Sequence, residues 1–145
     1  MKENTLEKED HVDGSRLAEL DRAECLQLLG YRAFVGRVGF VHDGRPLILP
    51  VNYLLDEETI VFRTAVGTVL SVLDGADVAF EADDNRPIGH AGWSVVVQGS
   101  VRRVTDAQEV DMLKRGPLRS WAWRSADQWS RISIDMISGR RLPES

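Results

Sequence analysis

The sequence predicts a mainly β fold, with six antiparallel strands closing into a barrel and helices at its periphery. Three observations lead there. The segment AFVGRVGFVH (residues 33–42) is rich in β-branched and aromatic residues and runs into Asp43-Gly44, a pair favoured by two-residue hairpin turns. RISIDMI (residues 131–137) alternates between apolar and polar, the period of a strand with one buried face. The links between such runs are mostly too short to carry a crossover helix after each strand, which argues against a doubly wound parallel sheet.

Each element follows in chain order. Met1 to Ser15 is polar and acidic with few aliphatic residues, too little apolar surface to order itself. Residues 1–16 are therefore expected to be a flexible arm ahead of one domain over residues 17–145. Asp21 stands three residues before Glu24 as in a capping box, with Leu20 and Cys25 placed as its hydrophobic staple. This predicts a helix from about Arg22 to Leu29, stopped by Gly30.

Strands follow at residues 33–42, at RPLILPVNYLL (residues 45–55) and at residues 59–64, the last after an Asp56-Glu57-Glu58 turn. Pro50 marks an edge, bulge or kink, because proline cannot donate to the ladder. Gly67 to Leu73 reads as a short connecting helix capped by Thr68 and ended by Asp74-Gly75. Val78 to Ala82 is the fourth strand, and WSVVVQGSVRRV (residues 93–104) is the fifth, with a bend at Gly99. Asp106 caps a helix over roughly 107–114, a second helical stretch lies near 118–123, and residues 131–137 form the sixth strand.

Composition narrows the function. The chain has 145 residues, a net charge of −5, 43% hydrophobic residues and one cysteine. An acidic chain is a poor partner for nucleic acid, whose phosphates are usually met by a basic surface. Residues 1–24 hold eight acids against four bases, and residues 102–145 hold nine bases against six acids, so the C-terminal third is the part suited to an anion. With Cys25 alone, no intrachain disulfide forms, and a buried structural thiol is expected there. No run approaches the ~18 apolar residues of a membrane span, and the start has no apolar signal-peptide core. A soluble cytoplasmic protein is expected, with no membrane or nucleic-acid partner.

Most enzyme signatures are missing. His11, His42 and His90 show no zinc spacing, and there is no GxSxG elbow, P-loop or GxGxxG turn. The stretch VFRTAVGTVL (residues 61–70) is different. Arg63, Thr64, Gly67 and Thr68 place a guanidinium, two hydroxyls and free backbone N–H groups near a helix start, the parts of a phosphate site. A solvent-facing arginine beside an ordinary capping threonine fits the segment equally well.

The ordered blocks GRPLILPVNYLLDEETIVFRTAVGTVLSVLDGADVAFEAD, GWSVVVQGSVRRVTD and DQWSRISIDMISGRRL resemble the FMN-binding split-barrel proteins related to pyridoxamine 5'-phosphate oxidase, over roughly Leu17 to Leu142. The resemblance implies a six-stranded Greek-key split barrel that forms a homodimer, with FMN in clefts between subunits. It implies that Pro50, Val51 and Asn52 run beside the flavin ring, and that Phe62, Arg63 and Thr64 pass the ribityl chain and phosphate. Gly67 and Thr68 would form the following turn, and Trp93 and Ser94 would approach the cofactor from the second subunit. The family's oxidases carry a glutamine where Ser94 stands. Trp93 as interface core is a rival reading. Trp121, Trp123 and Trp129 could cover a flavin face or simply pack, and Trp129 is the candidate carried forward.

Two departures matter. Relatives have basic residues just after the G-[ST] turn, where this chain has Val69 and Leu70. Each missing charge-assisted hydrogen bond is worth ~1.5–3 kcal/mol. The substrate motif of the true oxidases is also missing after the last strand, where Arg140 and Arg141 stand near the chain end. The expectation is a flavin-dependent oxidoreductase acting on a small molecule, and not a vitamin B6 oxidase, with no side chain identified as catalytic. Three alternatives stay open. One is an F420-dependent reductase using Arg102, Arg103, Lys114, Arg115 and Arg119 for the acidic tail. Another is a barrel that has lost its cofactor and serves as a binding protein; a nitroimidazole-reductase-like activity is a third reading within the family.

Overall fold

The structure, a computed structural model, describes residues 18–31, 35–85, 92–117 and 128–142. Among these residues the elements are β1 (Ala18–Leu20), α1 (Arg22–Tyr31), β2 (Val35–His42), β3 (Arg45–Asp56), β4 (Thr59–Thr64), a 3-10 turn (Val69–Val72), β5 (Asp77–Asn85), β6 (Gly92–Val104), α2 (Ala107–Lys114), β7 (Gln128–Ser133) and β8 (Met136–Leu142). The strands run in the order β1-β8-β6-β5-β2-β3-β4-β7, and a further β6–β7 pairing closes β2 to β7 into a six-stranded antiparallel barrel. The arm at residues 1–16, the helical stretch near 118–123, Trp121, Trp123 and His90 lie outside the described residues.

The barrel is two sheets sharing two long strands. β3 pairs with β2 from Arg45 to Asn52 and with β4 only from Tyr53 to Asp56. β6 pairs with β5 from Gly92 to Ser100, then with β7 from Val101 to Val104. The second crossing needs Gly99, where a Cβ would collide with the Ser133 carbonyl. Within the barrel, Val38, Ile60, Phe62, Phe80, Val95, Val97 and Ile132 are fully buried. At ~1.5–3 kcal/mol for each such side chain, this interior is the main stabilising term.

Local signals formed as expected at several points. Asp43 and Gly44 both have positive φ, as the hairpin turn requires, and the Glu57-Glu58 turn takes the same conformation without a glycine. The capping box is reciprocal: the Glu24 N–H donates to Asp21 Oδ1 at 2.8 Å, and the Asp21 N–H to Glu24 Oε1 at 3.1 Å. Leu20 and Cys25 meet over Gly139. Asp106 caps α2 through the Glu109 N–H at 2.9 Å.

Other boundaries moved. Gly30 lies inside α1, which continues to Tyr31 because the helix is held by packing of Cys25 and Leu29 and by the Tyr53 hydroxyl, which donates to the Leu29 carbonyl at 3.0 Å. Residues 131–137 are not one strand. β7 ends at Ser133, whose hydroxyl takes the Ser100 N–H at 3.0 Å, and β8 starts at Met136 along the other edge of β6. Arg140 and Arg141 therefore belong to a strand, paired with Ser94 and Trp93. The helix expected at 67–73 is a four-residue 3-10 turn. Thr68 precedes it, but its hydroxyl donates back to the Ala65 carbonyl at 2.8 Å and does not cap.

Candidate functional site

The crossing of β3 opens the candidate site. Along Arg45–Asn52 this strand is registered with β2, and its register with β4 begins only at Tyr53, so among the described strands Pro50 and Val51 lie on an edge that β4 does not cover. Val51 points into the core, while Pro50 is exposed and Asn52 half-buried. Tyr53–Phe62 is the last registered β3–β4 pair, so Arg63 and Thr64 continue β4 beyond the register with β3.

The turn after β4 is rich in hydroxyls. Thr64 is buried, and its Oγ1 lies 2.9 Å from Thr68 Oγ1; since Thr68 donates to Ala65, Thr64 donates to Thr68. Gly67 has φ +89, and its N–H donates to Ser71 Oγ at 3.2 Å, while the Ser71 hydroxyl donates to the Thr68 carbonyl at 2.6 Å. The turn is tied to the barrel by Gln128, whose Nε2 donates to the Ser71 carbonyl at 2.6 Å. The first N–H groups of the 3-10 turn, on Val69 and Leu70, have no partner within it.

Strand alternation separates what the linear stretch seemed to unite. Thr64 shares the interior face with Phe62, whereas Arg63 lies on the outer face, paired with Trp129. Its guanidinium sits 5.0 Å from the centroid of the fully buried Trp129 ring. That ring packs with Val61, Val104 and Leu113 under α2, and its Nε1 has no hydrogen-bond partner among the described residues. Val69 and Leu70 pack against the barrel core, which gives a physical reason for apolar residues there.

Trp93 and Ser94 are elsewhere. Trp93 packs against the core, and Ser94 lies on the outer face of the sheet formed by β8, β6, β5, β2 and the first part of β3. Ser94 and Asn52 share that face, with β5 and β2 between their strands, about 14 Å apart at ~4.8 Å per strand. One protomer thus holds two separate halves of the predicted set.

The donor set fits a flavin in part. The β3 edge at Pro50–Val51 offers backbone polar groups to a ring's rim, and the turn offers a phosphate the N–H groups of Val69 and Leu70, the protons of its three hydroxyls being engaged within the turn. No cation of the turn itself joins them. Of the bases expected to hold an acidic tail, Arg102 borders a cleft of about 530 Å³ with Asp56, Glu57, Asp106 and Glu109, and Arg115 is bound to Asp111 at 2.6 Å. Arg119 lies outside the described residues.

On the outer face sits a cluster that sequence reading missed, because its members come from two strands. Arg37 Nη1 lies 3.2 Å from Glu81 Oε1 and 3.7 Å from Asp83 Oδ2. Burial first, then the hydrogen bond and charge of Asp83, push Glu81 up to about 7, against the opposing pull of Arg37. Cys25 is buried, and its thiol is raised chiefly by that burial and further by Asp21 and Glu24, as suits a structural residue. No cluster of three or more metal-ligating side chains occurs among the described residues, and no described helix is long and apolar enough to cross a membrane.

Comparison with known proteins adds to this geometry. Residues 21–141 match the family model described as Pyridoxamine 5'-phosphate oxidase. The chain is 35% identical over 132 residues to an uncharacterized protein of Mycobacterium tuberculosis, covering 87% of this chain and 86% of that one. It is similar to the solved structure of the FAD binding protein from Mycobacterium smegmatis, with 33% identity and a TM-score of 0.72 over 86% of this chain and 98% of the other. A FAD-binding protein from Mesorhizobium loti has a TM-score of 0.72 at 22% identity, over 90% of this chain and 100% of that one, a likeness of fold alone.

Proposed function

The chain belongs to the pyridoxamine 5'-phosphate oxidase family, and from that premise we propose that it is a dimeric flavin-binding oxidoreductase acting on a small molecule, with FAD preferred over FMN. The observation that carries this reading is the stretch of β3 at Pro50–Val51, where the strand has left the register with β4, lying beside the turn at Thr64–Ser71. When bound, a flavin supplies hydride and electron transfer.

The chain's own residues would position it and exclude water. Backbone groups of Val51 and Asn52 would meet the polar rim of the ring, and Phe62 behind them keeps β4 rigid. The N–H groups of Val69 and Leu70 would face the phosphate, on a turn shaped by the Thr64–Thr68 hydroxyl pair and held in place by Gln128. Arg63, stacked on Trp129, would contribute its charge from the flank.

The preference for FAD rests on charge. FMN ends in a phosphate monoester carrying about −1.5 to −2, which needs cationic partners. Each phosphate of FAD carries a single charge and extends into an adenosine that adds contacts. A turn with neutral donors and apolar Val69 and Leu70 suits the second better, and the relative at 33% identity is named for FAD binding.

A second copy would complete the cleft by bringing Trp93 and Ser94 to the half-site at Pro50–Leu70. The surface for it is the outer face of the β8-β6-β5-β2-β3 sheet, where Val35, Val41, Ile48, Val96 and Met136 are exposed. Titrating the purified protein with FAD, FMN and F420 and following cofactor fluorescence tests the reading. Quenching at micromolar FAD with weaker FMN binding supports it, FMN binding tighter than FAD overturns the preference, and binding of neither flavin overturns the function.

A further inference from the structure

The outer face of the β8-β6-β5-β2-β3 sheet mixes apolar side chains with polar ones, among them Asn52, Asp77, Ser94, Gln98 and Arg140. Val35 and Val41 on β2, Ile48 and Pro50 on β3, Ala79 on β5, Val96 on β6 and Met136 on β8 share it, and a groove of about 580 Å³ crosses it between Ile48 and Met136. Near its centre stand Arg37, Glu81 and Asp83, with the two acid side chains 30% exposed and the arginine 51%. Glu81 faces Arg37 across the β2–β5 pairing, Asp83 along its own strand and Val96 on β6. The β3 neighbours on this row, Pro50 and Asn52, are uncharged. Beyond Ser94 from Asp83 lies Arg140 on β8.

We propose that self-association through this face takes up one proton per protomer at the Glu81–Asp83 pair, so that the dimer tightens as the medium is acidified. The inference rests on the dimer proposed above. With both acids ionised, the trio carries a net charge of −1; one added proton makes it neutral. A twofold interface sets identical trios in one desolvated region, where like net charges repel and neutral ones do not. Burial by the partner removes more water from the two carboxyls, which further favours the protonated form. Glu81 is already poised near 7 in the single protomer, so the switch falls within the ordinary pH range.

Sedimentation equilibrium of the full chain at pH 6.0 and pH 8.5 reads the coupling. A wild-type dimer dissociation constant at least tenfold weaker at the higher pH is expected. Glu81→Gln, which copies the protonated state, should hold the tighter constant at both pH values, and Asp83→Asn should flatten the difference as well. Equal wild-type constants at the two pH values overturn the coupling while leaving the dimer intact. Persistence of the full difference in Glu81→Gln overturns the assignment to this pair. A monomer at both pH values, in all three proteins, overturns the dimer reading and this inference with it.

Discussion

The two sheets of the barrel solve the same problem in opposite ways. Each has an outer face carrying an arginine between two acids. On the β4–β7 side the face is covered by α2, and Arg131 is 7% exposed. Its Nε donates to Glu109 Oε2 at 2.7 Å, and its Nη1 to Asp56 Oδ2 and Thr59 Oγ1, both at 2.9 Å. Hydrogen bonds to both acids outweigh the desolvation of the guanidinium and hold its pKa above the usual value. On the β2–β5 side no described helix lies over the face, Arg37 is half exposed, and its acids compete for a proton. Completed ion pairs mark a surface the chain covers itself, and the incomplete cluster marks one suited to a second chain.

Three experiments break or sharpen that contrast. The largest effect is expected from Arg131→Ala, which takes the shared cation away from the partly exposed Asp56 and from Glu109 on α2 and should cost about 2 kcal/mol in urea unfolding. A loss below about 1 kcal/mol would make the knot an ordinary surface pair. Next comes Val96→Glu on the bare face, which adds a second negative charge beside Glu81 where the two copies would meet. It should leave monomer stability within ~0.5 kcal/mol and weaken the dimer at least tenfold by sedimentation. Unchanged association moves the interface elsewhere.

The smallest effect is on pH-dependent stability. Glu81 is raised in the folded chain, so between its unfolded value near 4.5 and about 7 the folded state holds more proton than the unfolded one. Its stabilising contribution is complete below that window and is lost as the pH rises through it. Glu81→Gln should flatten this segment of the curve of urea midpoint against pH, and an unaltered slope would show that Glu81 titrates normally.

Legibility in the sequence followed the range of the interactions. Asp43-Gly44, the Asp21–Glu24 box and the Asp106 cap are decided within about four residues, so their residue types alone announce them. Cys25 was readable as structural for the same reason. The phosphate-site reading of residues 63–68 treated neighbours in sequence as neighbours in space. Alternation along β4 instead sends Thr64 inward to Thr68 and Arg63 outward to Trp129. Gln128, which anchors the turn, is 57 residues from Ser71 and gave no local sign.

The sequence by itself determined the barrel strands, their turns and the family, because periodicity and turn chemistry act over a few residues and ordered blocks survive as a pattern. Tertiary structure alone decided which strands β3 and β6 pair with on either side of their bends, that the last predicted strand divides at Ser133, and which arginine is saturated. Those outcomes depend on which strands close the barrel and which face α2 covers. They are settled by contacts between residues far apart in the chain, such as Gly99 against Ser133 and Arg131 against Asp56.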